Sequence, residues 1–463
     1  MRVLFVIMDT GMYISTFPQG VAYLTSVLLN EGIDVEIYNQ DIHHWQDHKL
    51  THYLDKEKFD LVGIGSIAGY YQFKRVIEIS AAINASKNKP FFVLGGHGPS
   101  PEPEYYLEKT KADAVVIGEG ENTIINLCDA IANHKNLKTV RGIAYRNNNG
   151  ECIINEPNNL IEDVNSIPFP AYHKFPIDYY RLIKMPNSLK TDLTMRIISG
   201  RGCIFKCTFC YRMDKGFRPR SAESIVEEIE LLQKNYGITY IGFTDELFMS
   251  SIERTIHLCE TFINKGIEFR WSCNGRLNFA KQKVLLLMKK AGCVFVNYGI
   301  ESLDQKVLNN MKKGLTVNQI VNGIEETLKA KISPGLNIIF GNLGDNAKTI
   351  NKAVDFLIKY DDGAQMRTLK PVTPYPGSPL YYYAIEKGLL QDCADFYENK
   401  HNNSDLVTVN FTEMNDDEFH ECLLNANKRL IKNYFQKQCD LSLQTAEKLY
   451  KDLNTHFRGF RVY

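Results

Sequence analysis

Three cysteines in a short run, Cys203-Ile-Phe-Lys-Cys207-Thr-Phe-Cys210, have the residue types and spacing for metal chemistry. Gaps of three and then two residues let three thiolates gather around one small metal cluster. A four-iron cluster has four metal corners, so three cysteines leave one iron open to a small molecule. A structural zinc site wants four ligands, commonly as two separated pairs. No CxxC or HxxxH partner stands nearby.

The elements that must position this run alternate strand and helix. Leu193 to Ser199 is a predicted strand leading into the cysteines. Helix 221–236, strand 239–244, helix 252–265, strand 268–273, helix 280–290 and strand 293–299 follow. Helices 304–312 and 316–330, strand 335–340, helix 346–360, strand 366–371 and helix 379–387 complete the series. Six β/α units imply a curved parallel sheet with its site at the strand carboxyl ends. Asp245-Glu246, Arg276, Glu301, Asn337, Gly341 and Pro374-Tyr-Pro-Gly377 stand at or near such ends. Any one of them alone reads equally as a solvated loop position. Their repetition after successive strands is the signal. Tyr211, Arg212, Arg218 and Arg220 follow the cysteines and read either as substrate contacts or as surface charge.

Residues 1–145 show the same alternation. Strands are predicted at 3–8, 34–38, 61–65, 91–94 and 114–117, with helical patterns at 20–30 and 71–85. Continuous apolar strands covered on both faces imply a doubly wound, flavodoxin-like domain that binds ligand at its strand ends. Those ends carry Gly63-Ile-Gly65-Ser66, Gly95-Gly96-His97-Gly98-Pro99 and Gly118-Glu119-Gly120-Glu121. Glycines there allow tight turns and close approach of a bulky ligand. No GxGxxG or Gly-Lys-Ser/Thr follows the first strand, so a phosphate loop is a poor explanation. Pro157, Pro168, Pro170 and Pro176 mark 146–192 as an extended connector. Residues 386–463 hold helical patterns at 416–434 and 446–453, expected to cap the open end of the barrel.

Bulk properties bound the function. With 463 residues, two or three domains are expected. Lys plus Arg and Asp plus Glu are 54 each, which argues against a large nucleic-acid footprint. No apolar run approaches the ~20 residues of a membrane span. Met1 to Ile7 reads as a buried strand and not as a signal peptide, so a cytoplasmic location is expected. Eleven scattered cysteines fit reduced thiols. Cys128, Cys259, Cys293 and Cys422 read as core, and Cys273 sits at a strand end. His97 reads as a turn residue, His43 and His44 as solvated, and Tyr381 to Tyr383 as helix packing.

The cysteine run, with Phe209 before its third cysteine, resembles the signature of the radical S-adenosylmethionine (SAM) enzymes. The resemblance implies a [4Fe-4S] cluster on Cys203, Cys207 and Cys210 with SAM on the open iron, in an incomplete (β/α)6 barrel spanning 193–385. It implies SAM contacts from Asp245 and Glu246 to the amino group, Arg276 to the carboxylate and Glu301 to the ribose. Asn337 and Gly341 would lie on the adenine side. Pro18-x-Gly20 and the two later glycine runs resemble the cobalamin-binding domain that precedes many radical SAM cores. Cobalamin would then meet Gly65, Ser66, Gly95, Gly96, Gly98, Gly118, Glu119 and Gly120. Ile167-Pro-Phe-Pro170-Ala-Tyr172 resembles the connector of such proteins. One departure is Asp9-Thr-Gly-Met-Tyr-Ile14, which lacks the histidine of the Asp-x-His-x-x-Gly cobalt-ligand motif.

The family resemblance implies a cobalamin-dependent methyltransferase acting on an unactivated carbon or a phosphinate phosphorus of a small molecule or peptide. There, one SAM methylates cobalt and a second yields a 5′-deoxyadenosyl radical. An electron donor such as flavodoxin or ferredoxin is implied; nucleic acid and membrane are not. The alternatives are a radical SAM enzyme that cyclises or rearranges without methylating, and a non-catalytic cobalamin or redox sensor.

Overall fold

The computed structural model describes residues 1–11, 16–147, 149–453 and 455–456. The first sheet grows from apolar runs such as Val3 to Ile7, all buried, as strands covered on both faces must be. Strands β1 (Arg2–Ile7), β2 (Asp34–Asn39), β3 (Leu61–Gly65), β4 (Phe91–Gly95) and β5 (Ala114–Val116) run parallel in the order β2-β1-β3-β4-β5. That is the flavodoxin-like order. A hairpin of β6 (Ile143–Arg146) and β7 (Cys152–Ile154) adds two antiparallel strands beside β5. Residues 152–154, in the stretch expected to be connector, therefore belong to the sheet.

The rest of the connector is packed, not extended freely. Phe17 meets the rings of Tyr172, Phe175 and Tyr180 at 5.3, 5.3 and 5.6 Å. Tyr172 donates to Glu228 of the second domain at 2.7 Å. Its prolines limit it to single turns of helix such as Ile177–Tyr180, while its aromatics fill the seam between the domains.

The second domain begins with β8 (Thr194–Ile197), then a short antiparallel pair, β9 (Gly200–Arg201) and β10 (Arg218–Pro219). Strands β11 (Tyr240–Phe243), β12 (Arg270–Gly275), β13 (Cys293–Glu301), β14 (Ser333–Phe340) and β15 (Lys370–Pro371) follow. Six of these strands form one parallel sheet in the order β15-β14-β13-β12-β11-β8. Sequential order with a helix between neighbours gives the expected open half barrel. Cys128, Cys259, Cys273 and Cys293 are buried, and Cys422 is half-buried.

The tail is more continuous than expected. Asp416–Lys451 is one helix of 36 residues, because nothing between 434 and 446 is a glycine or proline that would interrupt it. The chain before it packs on the first domain: Leu390, Cys393, Phe396 and Tyr397 join Leu4, Val6, Phe73 and Tyr106, with Val372 and Leu380 of the barrel, in one buried cluster. Phe73 and Tyr397 stack at 4.3 Å.

The long helix seals the edge of the barrel sheet. Asn427 accepts from Leu369 N at 2.7 Å and donates to Leu369 O at 3.0 Å, pairing backbone next to the edge strand β15. Phe419 packs on Phe340 at 5.0 Å and lies so close to Gly341 that a Cβ there would stand 2.7 Å from its ring. Asn427→Ala leaves both Leu369 groups without those partners, costing about 2 kcal/mol. The expected result is a lower thermal midpoint in calorimetry; an unchanged midpoint would remove the helix's edge-sealing role.

Candidate functional site: two cofactor loops facing one cavity

The cysteine loop is an excursion between β9 and β10, whose pairing of Arg201 with Arg218 closes it at the base. It is pinned at its middle: Thr208 N donates to Met311 O at 3.0 Å, and Leu380 N donates to Thr208 O at 2.8 Å. Phe205 lies under the Arg276 guanidinium, 3.4 Å from ring centroid to carbon. Arg276 also donates to Lys313 O. Burial pushes the thiols of Cys203 and Cys210 up, that of Cys210 to about 12, so a metal must displace their protons. Among the described residues, no three His, Cys, Asp or Glu side chains converge on a point where one metal ion would sit. A cluster with one thiolate per iron does not need such convergence, whereas a lone zinc does.

Asp245 follows β11 and is fully enclosed. Its carboxylate accepts from Ser199 N at 2.5 Å and from the Ser199 hydroxyl. Arg254 in turn donates to Ser199 O at 2.6 Å and to its Oγ at 2.8 Å. Burial raises Asp245 to about 6 despite these bonds. Glu246 is also raised, by burial first and then by Asp214.

Glu301 ends β13, where the register against β14 shifts between Gly299 and Glu301. With φ of 67° it swings back to accept from Lys313 Nζ at 3.0 Å. Asn337 joins a ladder across three strands. Asn274 donates to the Asp245 carbonyl at 2.8 Å, Asn297 donates to Asn274 at 3.0 Å, and Asn337 donates to Asn297 at 2.7 Å. A carbonyl only accepts, so every amide in the row is oriented by that first bond.

The first domain's glycine-rich ends face this region across a cavity of about 510 Å³, a size typical of ligand sites. Gly65, Ser66, Gly95, Gly96, Gly118, Glu119 and Gly120 line one side. Arg201, Gly202, Asp214, Thr244, Asp245 and Glu246 line the other. Gly98 does not line it and supports the turn, its N–H donating to Ser66 O at 3.1 Å. Gly96, at φ 101°, crosses so close to Ser66 that a Cβ would stand 2.3 Å from its carbonyl oxygen. Arg276, Glu301, Asn337 and Gly341 stand outside this wall, and Gly341 makes room for Phe419.

Glu119, expected as a ligand contact, is also the centre of an ion network. It pairs with Arg201 at 2.8 Å and Arg218 at 2.9 Å, and accepts from Ile161 N at 2.8 Å. Glu121 pairs with Arg201 at 2.5 Å, and Asp214 with Arg218 at 2.8 Å. Burial alone would raise Glu119, but its bonds from Arg218 and Arg201 hold it below the usual carboxylate range. Arg220 is likewise committed inside the fold, to Glu228. Neither Arg218 nor Arg220 is free for substrate.

His97 lines the cavity, and burial lowers its pKa. Gln19, Thr244 and Asp214 were not legible as site residues; only the proximity of 244 and 214 to recognised motifs pointed their way. His44 is paired with Asp9 at 2.8 Å, not merely solvated. Residues 12–14 of the run that lacks the cobalt-ligand histidine lie outside the described residues.

The cavity's features fit a bulky ligand with polar fringes. Gly20 and Gly118 line it with no atom near the place of a Cβ. Gln19 Nε2 and Asp214 Oδ1, in its walls, are buried without a partner. Among the described residues, no helix is long and apolar enough to cross a membrane.

Residues 197–357 match the radical SAM superfamily, and residues 13–127 match the B12 binding domain. The chain is 31% identical to the uncharacterised methyltransferase PH0819 of Pyrococcus horikoshii, over 81% of this chain and 79% of that protein. It is 27% identical to the anaerobic magnesium-protoporphyrin IX monomethyl ester cyclase of Rubrivivax gelatinosus, over 79% and 65%. Its fold resembles the radical SAM methyltransferase TsrM of Kitasatospora setae, solved with cobalamin and a [4Fe-4S] cluster bound. That match has a TM-score of 0.67 at 20% identity and covers 83% of this chain and 75% of that one. The chain belongs to the radical SAM superfamily, among the cobalamin-dependent enzymes of methyltransferase type that carry a B12 binding domain ahead of the barrel.

Proposed function

We propose that this enzyme transfers a methyl group to an unactivated carbon, or a phosphinate phosphorus, of a small-molecule or peptide substrate. The observation that carries the reading is the shared cavity: the glycine-rich strand ends and the flanks of the cysteine loop are its two walls. When bound, the cluster supplies the electron that splits SAM to a 5′-deoxyadenosyl radical, and cobalamin carries the methyl group that the substrate radical receives.

The chain's own residues hold, orient and exclude water. Cys203, Cys207 and Cys210 are the cluster ligands, and their number leaves one iron for SAM. Glu246 would offer its carboxylate to the SAM ammonium, and Asp245, whose two oxygens are taken by Ser199, would add its charge from beneath while fixing the strand that leads to the cysteines. Arg276 keeps a buried, unpartnered Nε beside the cysteine loop, which suits the SAM carboxylate. Glu301 and Asn337 would meet the ribose and the adenine of SAM. Gly341 would meet the adenine side through its backbone, its missing side chain making room for Phe419. Phe5, Phe17, Leu24, Ile64, Val93 and Ile198 give the cavity apolar walls, which keep water from a radical. For cobalamin, Gly65, Ser66, Gly95, Gly96, Gly118 and Gly120 provide close backbone approach. Glu119 acts at one remove, by holding the two walls together.

A second reading has one observation in its favour, the cyclase among the relatives, and would use the same cavity without methyl transfer. One experiment separates the two. Protein reconstituted anaerobically with iron, sulfide and hydroxocobalamin is assayed for bound iron, bound corrinoid and, with SAM and a reductant, 5′-deoxyadenosine. Cluster, stoichiometric corrinoid and 5′-deoxyadenosine are expected, all but corrinoid lost in Cys203→Ala, Cys207→Ala or Cys210→Ala. Corrinoid-free protein would end the cobalamin assignment. A converted substrate without an added methyl group, by mass spectrometry, would favour the cyclase reading.

Glu119→Gln tests the clasp between the walls. It leaves Arg201 and Arg218 short of charge in a buried setting, a change costing about 3–5 kcal/mol. Corrinoid binding should fall while iron content holds, read by visible absorption and iron analysis. Since Glu119 titrates below its ordinary value, its contribution is full above the usual carboxylate range. It drains as pH falls through the lowered value. Wild-type protein should therefore lose corrinoid at acid pH. A variant with unchanged corrinoid affinity would show that the clasp does not set the cavity.

A further inference from the structure

The inner face of the half barrel carries a cation that the protein leaves without a partner. On β8 and β11, Met195, Ile197, Ile241 and Phe243 pack with Ile225 and Leu258 of the covering helices. Side chains alternate along a strand, so Arg196 and Gly242, paired in register, face the other way, into the lumen. The place of a Cβ on Gly242 is 3.8 Å from Arg196 Cγ and 2.5 Å from Met185 Sδ, which puts both side chains on that face.

The lumen is closed below. Tyr240 donates to Pro186 O at 2.6 Å, and Arg270 donates to Asp192 at 2.7 Å and to Asn187 O at 2.6 Å. The segment 185–192 therefore lies across the amino ends of the strands. Above Arg196 and Gly242, the next rung is Ile198 and Thr244, both in the wall of the interdomain cavity. Two residues of strand advance about 7 Å, so Arg196 stands that far beneath the cavity wall.

The other polar groups of this face are satisfied within the fold. Asn274, Asn297 and Asn337 form their ladder, and Arg270 has Asp192. Arg196 is half-buried, and among the described residues no hydrogen bond or ion pair holds it. Burial lowers its pKa with no acid opposing, whereas at Arg254 Asp245 opposes the same effect. A guanidinium is costly to remove from water without a counter-charge, and its planar donors match carboxylate or phosphate oxygens in pairs.

We propose that Arg196 binds an anionic group of the substrate, a carboxylate or a phosphate, on the floor of the lumen, while the rest of the substrate reaches up into the cavity. This rests on the reading of that cavity as the place of methyl transfer. The carboxylate of SAM is the rival anion, and Arg276 beside the cysteine loop already suits it.

The test uses full-length protein and three probes of similar shape: benzoate and phenylphosphonate, which are anions, and benzamide, which is neutral. In calorimetry on reconstituted protein both anions should bind, and benzamide at least tenfold more weakly. In Arg196→Gln the anion affinities should fall about tenfold or more, as loss of a charged hydrogen bond requires. Equal iron and corrinoid contents in the two proteins certify the fold of the variant. Absent anion binding, or equal anion affinity in the two proteins, would overturn the proposal.

Phenylglyoxal, which modifies arginine, reads the wild-type protein alone. By mass spectrometry the peptide bearing Arg196 should gain the adduct, and phenylphosphonate should protect it. No adduct, or one that phenylphosphonate does not reduce, overturns the proposal. Protection by SAM and by neither benzoate nor phenylphosphonate would also overturn it, making Arg196 a cofactor contact. The same protection is expected before reconstitution. Protein that shows it yet assembles no cluster would fail the proposed function and leave the anion site standing.

Discussion

The structure depends on a carboxylate buried where two domains meet. Glu119 ends a loop of the first domain and bonds to two arginines that bracket the cysteine loop of the second. Arg201 and Arg218 are themselves a strand pair, so one carboxylate grips both sides of the hairpin base. Removing these charges from water costs several kcal/mol each, and that cost is offset only when geometry is good and every group is paired. Here Glu121, Asp214 and Ile161 N supply most of the partners, and only Asp214 Oδ1 and Arg218 Nε of the clasp are left buried without one among the described residues. Such an arrangement adds little net stability, but it has few alternative geometries. Its value is in fixing where one wall of the cavity stands relative to the other.

A second buried carboxylate performs the matching task inside the barrel. Asp245 spends both oxygens on Ser199, the residue just before β9, and Arg254 holds the same serine from the other side. The cysteine loop is thus anchored from below by Asp245 and at its base by Glu119. From the carbonyl of Asp245 the asparagine ladder runs outward through Asn274 and Asn297 to Asn337, with each amide orienting the next. The positions where ligand groups would lie are defined by bonds that already exist in the protein. Little reorganisation is then required when a ligand arrives.

Much of this was legible because it is local. The cysteine spacing lies within eight residues, and strand–helix alternation is written in runs of five to fifteen. Even the strand order follows from parallel units and short connections. What escaped depends on contacts between distant residues. Nothing in Gly118-Glu119-Gly120-Glu121 says that its acids meet arginines some 80 positions later rather than a ligand. Phe396 and Tyr397 have no periodic signature that would send them back to the first domain. Gly341 stood where a ligand loop was expected, yet its lack of a side chain serves Phe419. The long helix shows in the sequence as two periodic patches because its middle is polar, yet without a glycine or proline there the helix runs through.

The cavity's location explains why the domains must be fixed so firmly. Neither domain encloses it alone; each supplies a wall, and the connector's aromatics fill the seam behind. A methyl donor and a radical source must lie within reach of one substrate atom, and both must stay dry. If the walls shifted independently, misplacement of about 1 Å could cost on the order of a hundredfold in rate. Apolar packing alone would resist separation but tolerate sliding. The ion network resists sliding as well, since its hydrogen bonds are directional and its desolvated charges lose their partners when displaced. The polar clasp and the apolar seam therefore constrain different motions, and the cavity needs both.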